Sequence, residues 1–144
     1  STREKVTMLY LAYGSNLNLN QMAVRCPAAE PLHGIQLPYF RLIFRNVADI
    51  TADEDGVINL GVFNITDACE EALDRYEGFP HLYTKMYLNM DGQEYMTYTM
   101  TRDSIEPPST GYYECIEQGY QDWGFDTALL EKARRHSVTH KFAA

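Results

Sequence analysis

Cations are scarce in this chain. Twelve Lys and Arg stand against twenty Asp and Glu, a formal charge of −8 at pH 7 with histidines neutral, and the basic residues are scattered, Arg134-Arg135 being the only adjacent pair. Attraction to nucleic acid or to an anionic membrane rests on clustered Lys and Arg, so neither is an expected partner. Cysteine is sparse as well: Cys26, Cys69 and Cys115 are odd in number and far apart, a spacing that suggests neither a disulfide framework nor a zinc knuckle and fits free thiols in a reducing compartment. Apolar runs fall short of the roughly 18 residues that span a bilayer, and Ser1-Thr2-Arg3-Glu4-Lys5 does not read as a signal peptide, so a cytoplasmic location is the expectation. No Gly-rich dinucleotide fingerprint or P-loop ending occurs, which removes a nucleotide reading. Ser15 lies in no Gly-x-Ser-x-Gly elbow and Cys115 has no His nearby, so nucleophilic catalysis has little support. His33, His81, His136 and His140 have no Cys or carboxylate at ligand spacing; no metal and no cofactor are expected.

What is present is enough for one core. The 144 residues, 45% hydrophobic, suit a single domain over 1–144. Residues 6 to 13 alternate with apolar side chains on both faces, the pattern of a central strand. Beyond Gly14-Ser15, Asn16 or Asn18 can cap a short helix that stops before Pro27. Strands are expected over 34–45, interrupted by Pro38, and over 57–65, with Ala52-Asp53-Glu54-Asp55-Gly56 as the turn between them. Thr66 should cap a helix with Ala68, Ala72, Leu73 and Tyr76 inward and Asp67, Glu70, Glu71, Asp74 and Arg75 in water, ended by Gly78. Strands 82–90 and 94–101 meet across Asp91-Gly92, a dipeptide that favours the φ > 0 hairpin turn. Pro107-Pro108-Ser109 opens a helix over about 110–120, and Asp126 caps a last one carrying Leu129, Leu130 and Ala133. This order predicts an α+β domain with a mixed, barrel-like sheet.

Two segments carry candidate chemistry. Tyr10-Leu11-Ala12-Tyr13-Gly14-Ser15-Asn16 runs from a strand into a small-residue turn, the context in which backbone N–H groups can face an anion or a carbonyl oxygen. Glu77, in Tyr76-Glu77-Gly78, ends a helix beside aromatic neighbours, where helix carbonyls and desolvation both push a carboxyl pKa upward and make a better base. On position alone, a solvated last-turn glutamate is the simpler account of Glu77. Cradle and base together make general-base chemistry on a small polar substrate the alternative.

The ordered set of Leu9 to Leu17, Arg25-Cys26-Pro27, Leu42 to Asn46, Leu73-Asp74-Arg75-Tyr76-Glu77-Gly78, Tyr83, Pro107-Pro108-Ser109, Tyr112 and Gly119 resembles the γ-glutamylcyclotransferases, the AIG2-like or BtrG-like group. The resemblance runs from about residue 8 to residue 135. It implies a small mixed β-barrel with flanking helices and an intramolecular reaction: the α-amine of a γ-glutamyl group attacks its own γ-carbonyl, releasing 5-oxoproline and an amino acid or amine. It further implies Glu77 as general acid/base, the main chain of Tyr10, Leu11, Ala12, Tyr13, Gly14, Ser15 and Asn16 around the substrate's α-carboxylate and γ-carbonyl, Tyr83 orienting Glu77 or the substrate, and Tyr112 closing the pocket. The implied partner is a small γ-glutamyl molecule, with oligomeric state left open. The Gly-Ser-Asn loop is closer to enzymes acting on γ-glutamyl-amino acids or γ-glutamyl-acylated molecules than to the γ-glutamylamine branch. A non-catalytic member of the fold that binds a small acidic or γ-glutamyl ligand is the competing reading.

Overall fold

The computed structural model describes residues 7–140. Five strands form one sheet in the order β2-β3-β1-β5-β4. They are β1 (Thr7–Ala12), β2 (Glu30–Arg45), β3 (Val47–Thr66), β4 (Tyr83–Met90) and β5 (Gln93–Met100). The central strand, β1, pairs antiparallel with β3 and parallel with β5. A 3-10 turn, Ser15–Leu17, leads into α1 (Leu19–Arg25), followed later by α2 (Asp67–Glu77), α3 (Thr110–Trp123) and α4 (Ala128–Thr139). None of these helices is long and apolar enough to cross a membrane.

The local signals explain most element ends. Asn18 caps α1 by accepting from the Gln21 N–H, Thr66 caps α2 through Cys69 and Ser109 caps α3 through Tyr112. Gly78 ends α2 in the left-handed region at φ 66°. Asp91 and Gly92, at φ 54° and 80°, turn β4 into β5. At α4 the cap position is Thr127, one residue later than the expected Asp126, whose side chain nonetheless accepts from the Ala128 N–H.

Three expectations need correction. The acidic segment Ala52 to Gly56 is not the turn between two strands. β3 runs through it without a break, and the register jumps from Pro38↔Val57 to Phe40↔Ala52, so Asp53 to Gly56 bulge opposite Tyr39. The chain reverses instead at Arg45-Asn46-Val47, where Asn46 takes φ 69°, a conformation that Asn tolerates better than most residues. The sheet is also not a closed barrel, because β2 and β4 are free edges. It curls, with the β2–β3 tip lying against β5: Asp49 Oδ1 accepts from the Met100 N–H at 2.9 Å and from Thr99 Oγ1 at 3.1 Å. Finally, Ala68 is exposed while Cys69 is buried, and Asp74 and Glu70 do not simply face water, since both hold Lys85 of β4.

The core lies between the curled sheet and α3 with α4, around Leu11, Phe44, Leu60, Phe63, Ile116, Tyr120 and Leu130. On the sheet's opposite margin α2 is tied down by polar contacts, Tyr98 Oη donating to Asp74 Oδ1 at 2.6 Å. That tie fixes where the last residue of α2 points.

Candidate active site

The β1 strand delivers its C-terminal end to the surface beside the end of α2. Between them lies a pocket of about 110 Å³, lined by Tyr10, Tyr13, Gly14, Ser15, Asn16, Tyr76, Glu77, Leu82, Tyr83, Tyr98, Tyr112 and, from the β2–β3 tip, Val47 and Ala48. Eight of the ten residues named from the sequence therefore meet in one cleft. Leu11 and Ala12 do not: both are fully buried in the strand, and Leu11 offers its carbonyl to Thr97 Oγ1. Their contribution is to hold the loop that follows.

The loop backbone is open for a ligand. Gly14 O and Ser15 O accept from the Leu17 and Asn18 N–H groups, whereas the N–H groups of Gly14, Ser15 and Asn16 find no turn or side-chain acceptor among the described residues. Close approach matters at Gly14, because a Cβ there would come within 3.0 Å of the Ala48 Cβ and 3.4 Å of the Tyr112 hydroxyl. A larger residue there would crowd Ala48 and Tyr112, two residues of the pocket lining.

Glu77 is the one carboxylate in the pocket lining. Burial pushes its pKa up to about 7, while the Arg25 charge and the hydrogen bond from Asn16 pull the other way. Its Oε1 accepts from Asn16 Nδ2 at 3.2 Å, and the same amide nitrogen donates to the Tyr10 hydroxyl at 2.9 Å. Arg25 then donates to Asn16 Oδ1 at 2.8 Å and to Gln21 Oε1 at 2.6 Å, with its guanidinium 3.6 Å from the centre of the Tyr76 ring. Tyr76 is fixed in turn by a 3.0 Å hydrogen bond with Ser15 Oγ.

The tyrosines build walls. Tyr83 Oη donates to the Ala48 carbonyl at 2.6 Å, so its proton is given to the β2–β3 tip and not to Glu77. Tyr13 Oη donates to the Tyr98 carbonyl at 2.7 Å. Tyr112 Oη accepts from the Ala48 N–H at 3.0 Å, which sets it over Gly14. Val47, Ala48, Tyr76, Leu82 and Tyr98 of the lining, and Arg25 beside it, were not named as site residues from the sequence. Arg25 and Tyr76 each had one signal, their places in the Arg25-Cys26-Pro27 and Tyr76-Glu77-Gly78 segments; Val47, Ala48 and Tyr98 had none, because they reach the site through the curl of the sheet.

No family model and no curated protein matches this chain. Solved structures do. An uncharacterized protein of Homo sapiens is similar at 25% identity and TM-score 0.75, over 88% of this chain and 86% of that one. A γ-glutamyl cyclotransferase is similar at 23% identity and TM-score 0.76, over 89% and 86%. The chain has the γ-glutamyl cyclotransferase fold. An AIG2-like protein of Mus musculus shares it more distantly, with 13% identity and a TM-score of 0.55 over 74% of this chain and 82% of that one. On this γ-glutamyl cyclotransferase fold the cleft combines unpaired backbone donors, a carboxyl titrating near neutrality and a rim of tyrosines. Such a set can bind a carboxylate or carbonyl oxygen and move one proton beside it.

Proposed function

We propose that this protein is a γ-glutamylcyclotransferase, with Glu77 as its general acid/base. The observation that carries the reading is Glu77 itself: a partly buried carboxyl with a pKa of about 7, held by Asn16 beside a loop of unpaired N–H groups. An ordinary Glu, at about 4.3, would take a proton from an α-ammonium of about 8 only at a cost of roughly 5 kcal/mol. Near 7 most of that cost disappears.

The chemistry then needs little else. Glu77 removes a proton from the substrate's α-ammonium, the freed amine nitrogen bonds to the γ-carbonyl carbon, and the carbonyl electron pair moves onto oxygen. Collapse of that oxyanion breaks the bond to the leaving nitrogen, which takes the proton from Glu77; the carboxylate so restored removes the second proton from the ring nitrogen and passes it to the departing amine, which leaves as an ammonium beside neutral 5-oxoproline. Because the nucleophile belongs to the substrate, the protein's part is to freeze a ring-closing conformer and stabilise charge on oxygen. The N–H groups of Gly14, Ser15 and Asn16 supply donors for the α-carboxylate. A cleft of about 110 Å³ suits a small group such as a glutamyl moiety.

The test is release of 5-oxoproline from γ-glutamyl-alanine, glutathione, γ-glutamyl-ε-lysine and a γ-glutamyl-acylated amine, followed by mass spectrometry beside Glu77→Gln. Turnover is expected to fall about 10²–10⁴-fold in the variant, the usual share of a general base, with binding retained. A variant above about a tenth of the wild-type rate would remove Glu77 from the role. The wild-type rate should fall as pH drops below about 7, because protonated Glu77 cannot accept the ammonium proton. A folded protein silent on all four substrates would favour a non-catalytic binder on this fold.

A further inference from the structure

Six tyrosines line the pocket, and the destination of each hydroxyl proton separates them. Tyr13, Tyr83 and Tyr98 give theirs to the Tyr98 carbonyl, the Ala48 carbonyl and Asp74 Oδ1. Tyr76 shares one hydrogen bond with Ser15. Tyr10 differs: its oxygen accepts from Asn16 Nδ2 at 2.9 Å, and it donates to no group among the described residues. A phenol that has accepted still carries its own proton. With 3% of Tyr10 exposed and the residue in the pocket lining, that hydroxyl is shielded from bulk water beside the cleft.

Resting on the cyclotransferase reading above, we infer that the Tyr10 hydroxyl donates to the γ-carbonyl oxygen as it becomes an oxyanion, and that Arg25, acting through Asn16, is the positioning residue that keeps this donor aimed. Tyr10 Oη and Glu77 Oε1 are bound to the same amide nitrogen, at 2.9 and 3.2 Å, so donor and base stand side by side, as ring closure requires of groups serving adjacent atoms. Tyr112 also keeps its proton, but it stands over Gly14 and shares no hydrogen-bond partner with Glu77.

The aim depends on which way the Asn16 amide faces. Asn16 Oδ1 lies 2.8 Å from Arg25 Nη1, and a guanidinium only donates, so a flipped amide would set N–H against N–H. Arg25 thereby forces both Asn16 hydrogens toward Tyr10 and Glu77, which obliges the Tyr10 oxygen to accept and turns its proton outward. Gln21 and the Tyr76 ring hold Arg25 on its other sides. Burial raises the Tyr10 pKa well above the usual phenol value, so the group donates a hydrogen bond without losing its proton.

The test compares steady-state kinetics of wild type, Tyr10→Phe, Arg25→Met, the double variant and Glu77→Gln on whichever γ-glutamyl substrate releases most 5-oxoproline, with melting temperature as the control for folding. Tyr10→Phe should lose about 10²–10³-fold in kcat, the range for one oxyanion donor, with KM within about threefold of wild type. Arg25→Met should lose about 10–100-fold in kcat by misplacement. The double variant should lose less than the product of the two single losses, since one residue acts through the other. Wild-type kcat in a folded Tyr10→Phe overturns the inference, as does a multiplicative double variant. Should Tyr10→Phe not fold, the partly buried Arg25→Met decides alone, and wild-type kcat there overturns it. No release by wild type, or full release by Glu77→Gln, overturns the proposed function and this inference with it; a dead Glu77→Gln beside an unimpaired Tyr10→Phe overturns the inference only.

Discussion

At Glu77 the burial that raises the pKa carries a cost in stability. Burial lifts its pKa from 4.5 in a free chain to about 7 in the fold, so the native state holds this proton more tightly than the unfolded state does. Stability from this group is complete below about pH 4.5 and is lost as pH rises through 7. Glu77→Gln stays neutral at every pH and still offers an oxygen to Asn16. Relative to wild type, the variant should therefore gain roughly 2–3 kcal/mol between pH 4 and pH 8, read from urea midpoints at the two values. An unchanged difference would mean that Glu77 is solvated. The sequence pointed at this residue through its helix-end position and aromatic neighbours, and burial proves to be the leading cause of the shift. Asn16 was legible only as a loop residue; that its side chain joins Glu77, Tyr10 and Arg25 follows from α1 folding back beside the loop.

Helix α2 shows what one element contributes to the position of a side chain. Its start is fixed by the Thr66 hydroxyl on Cys69, and its end by Gly78, whose N–H bonds back to Arg75 while Phe79 bonds to Asp74. Both ends were readable, because capping is decided by residues a few positions apart. Thr66→Ala should cost about 1 kcal/mol, measured by denaturant, and leave kcat as it was, since that end lies away from the cleft. Gly78→Ala is expected to do more. Its Cβ would sit at φ 66° and 3.3 Å from the Leu82 Cβ, costing about 1–2 kcal/mol and displacing the adjacent Glu77, so both melting temperature and turnover should drop. What could not be read from α2 alone is its outer face. Asp74 and Glu70 look solvated by helical period, but Lys85 and Tyr98 arrive from the β4–β5 hairpin and engage them.

For the whole molecule, the decisive feature is how the long β2–β3 ribbon curls until its tip becomes a wall of the pocket. Asp49 is the clasp. It is buried, and its carboxylate takes the Ile50 and Met100 N–H groups and Thr99 on one oxygen and the Arg45 guanidinium, at 2.8 Å, on the other. Asp49→Asn leaves Arg45 buried without its counter-charge and should destabilise the fold by about 3–5 kcal/mol. Folded molecules of the variant should also show a raised KM, since Val47 and Ala48 lose their anchor; an unchanged denaturation midpoint would show the clasp to be dispensable. By itself the sequence determined the elements whose signals are local: the central strand running into Gly14-Ser15, the bounds of α2, the Asp91-Gly92 turn and the capped start of α3. Their dihedral preferences and caps act over a few residues and need no partner. Tertiary structure alone decided that Asp53 to Gly56 would bulge and Asn46 would turn, that the sheet would stay open, and that Arg25, Ala48 and Tyr98 would meet Asn16, Tyr83 and Glu77 around one cleft. Those outcomes depend on which distant surfaces bury one another, and no short-range pattern encodes that.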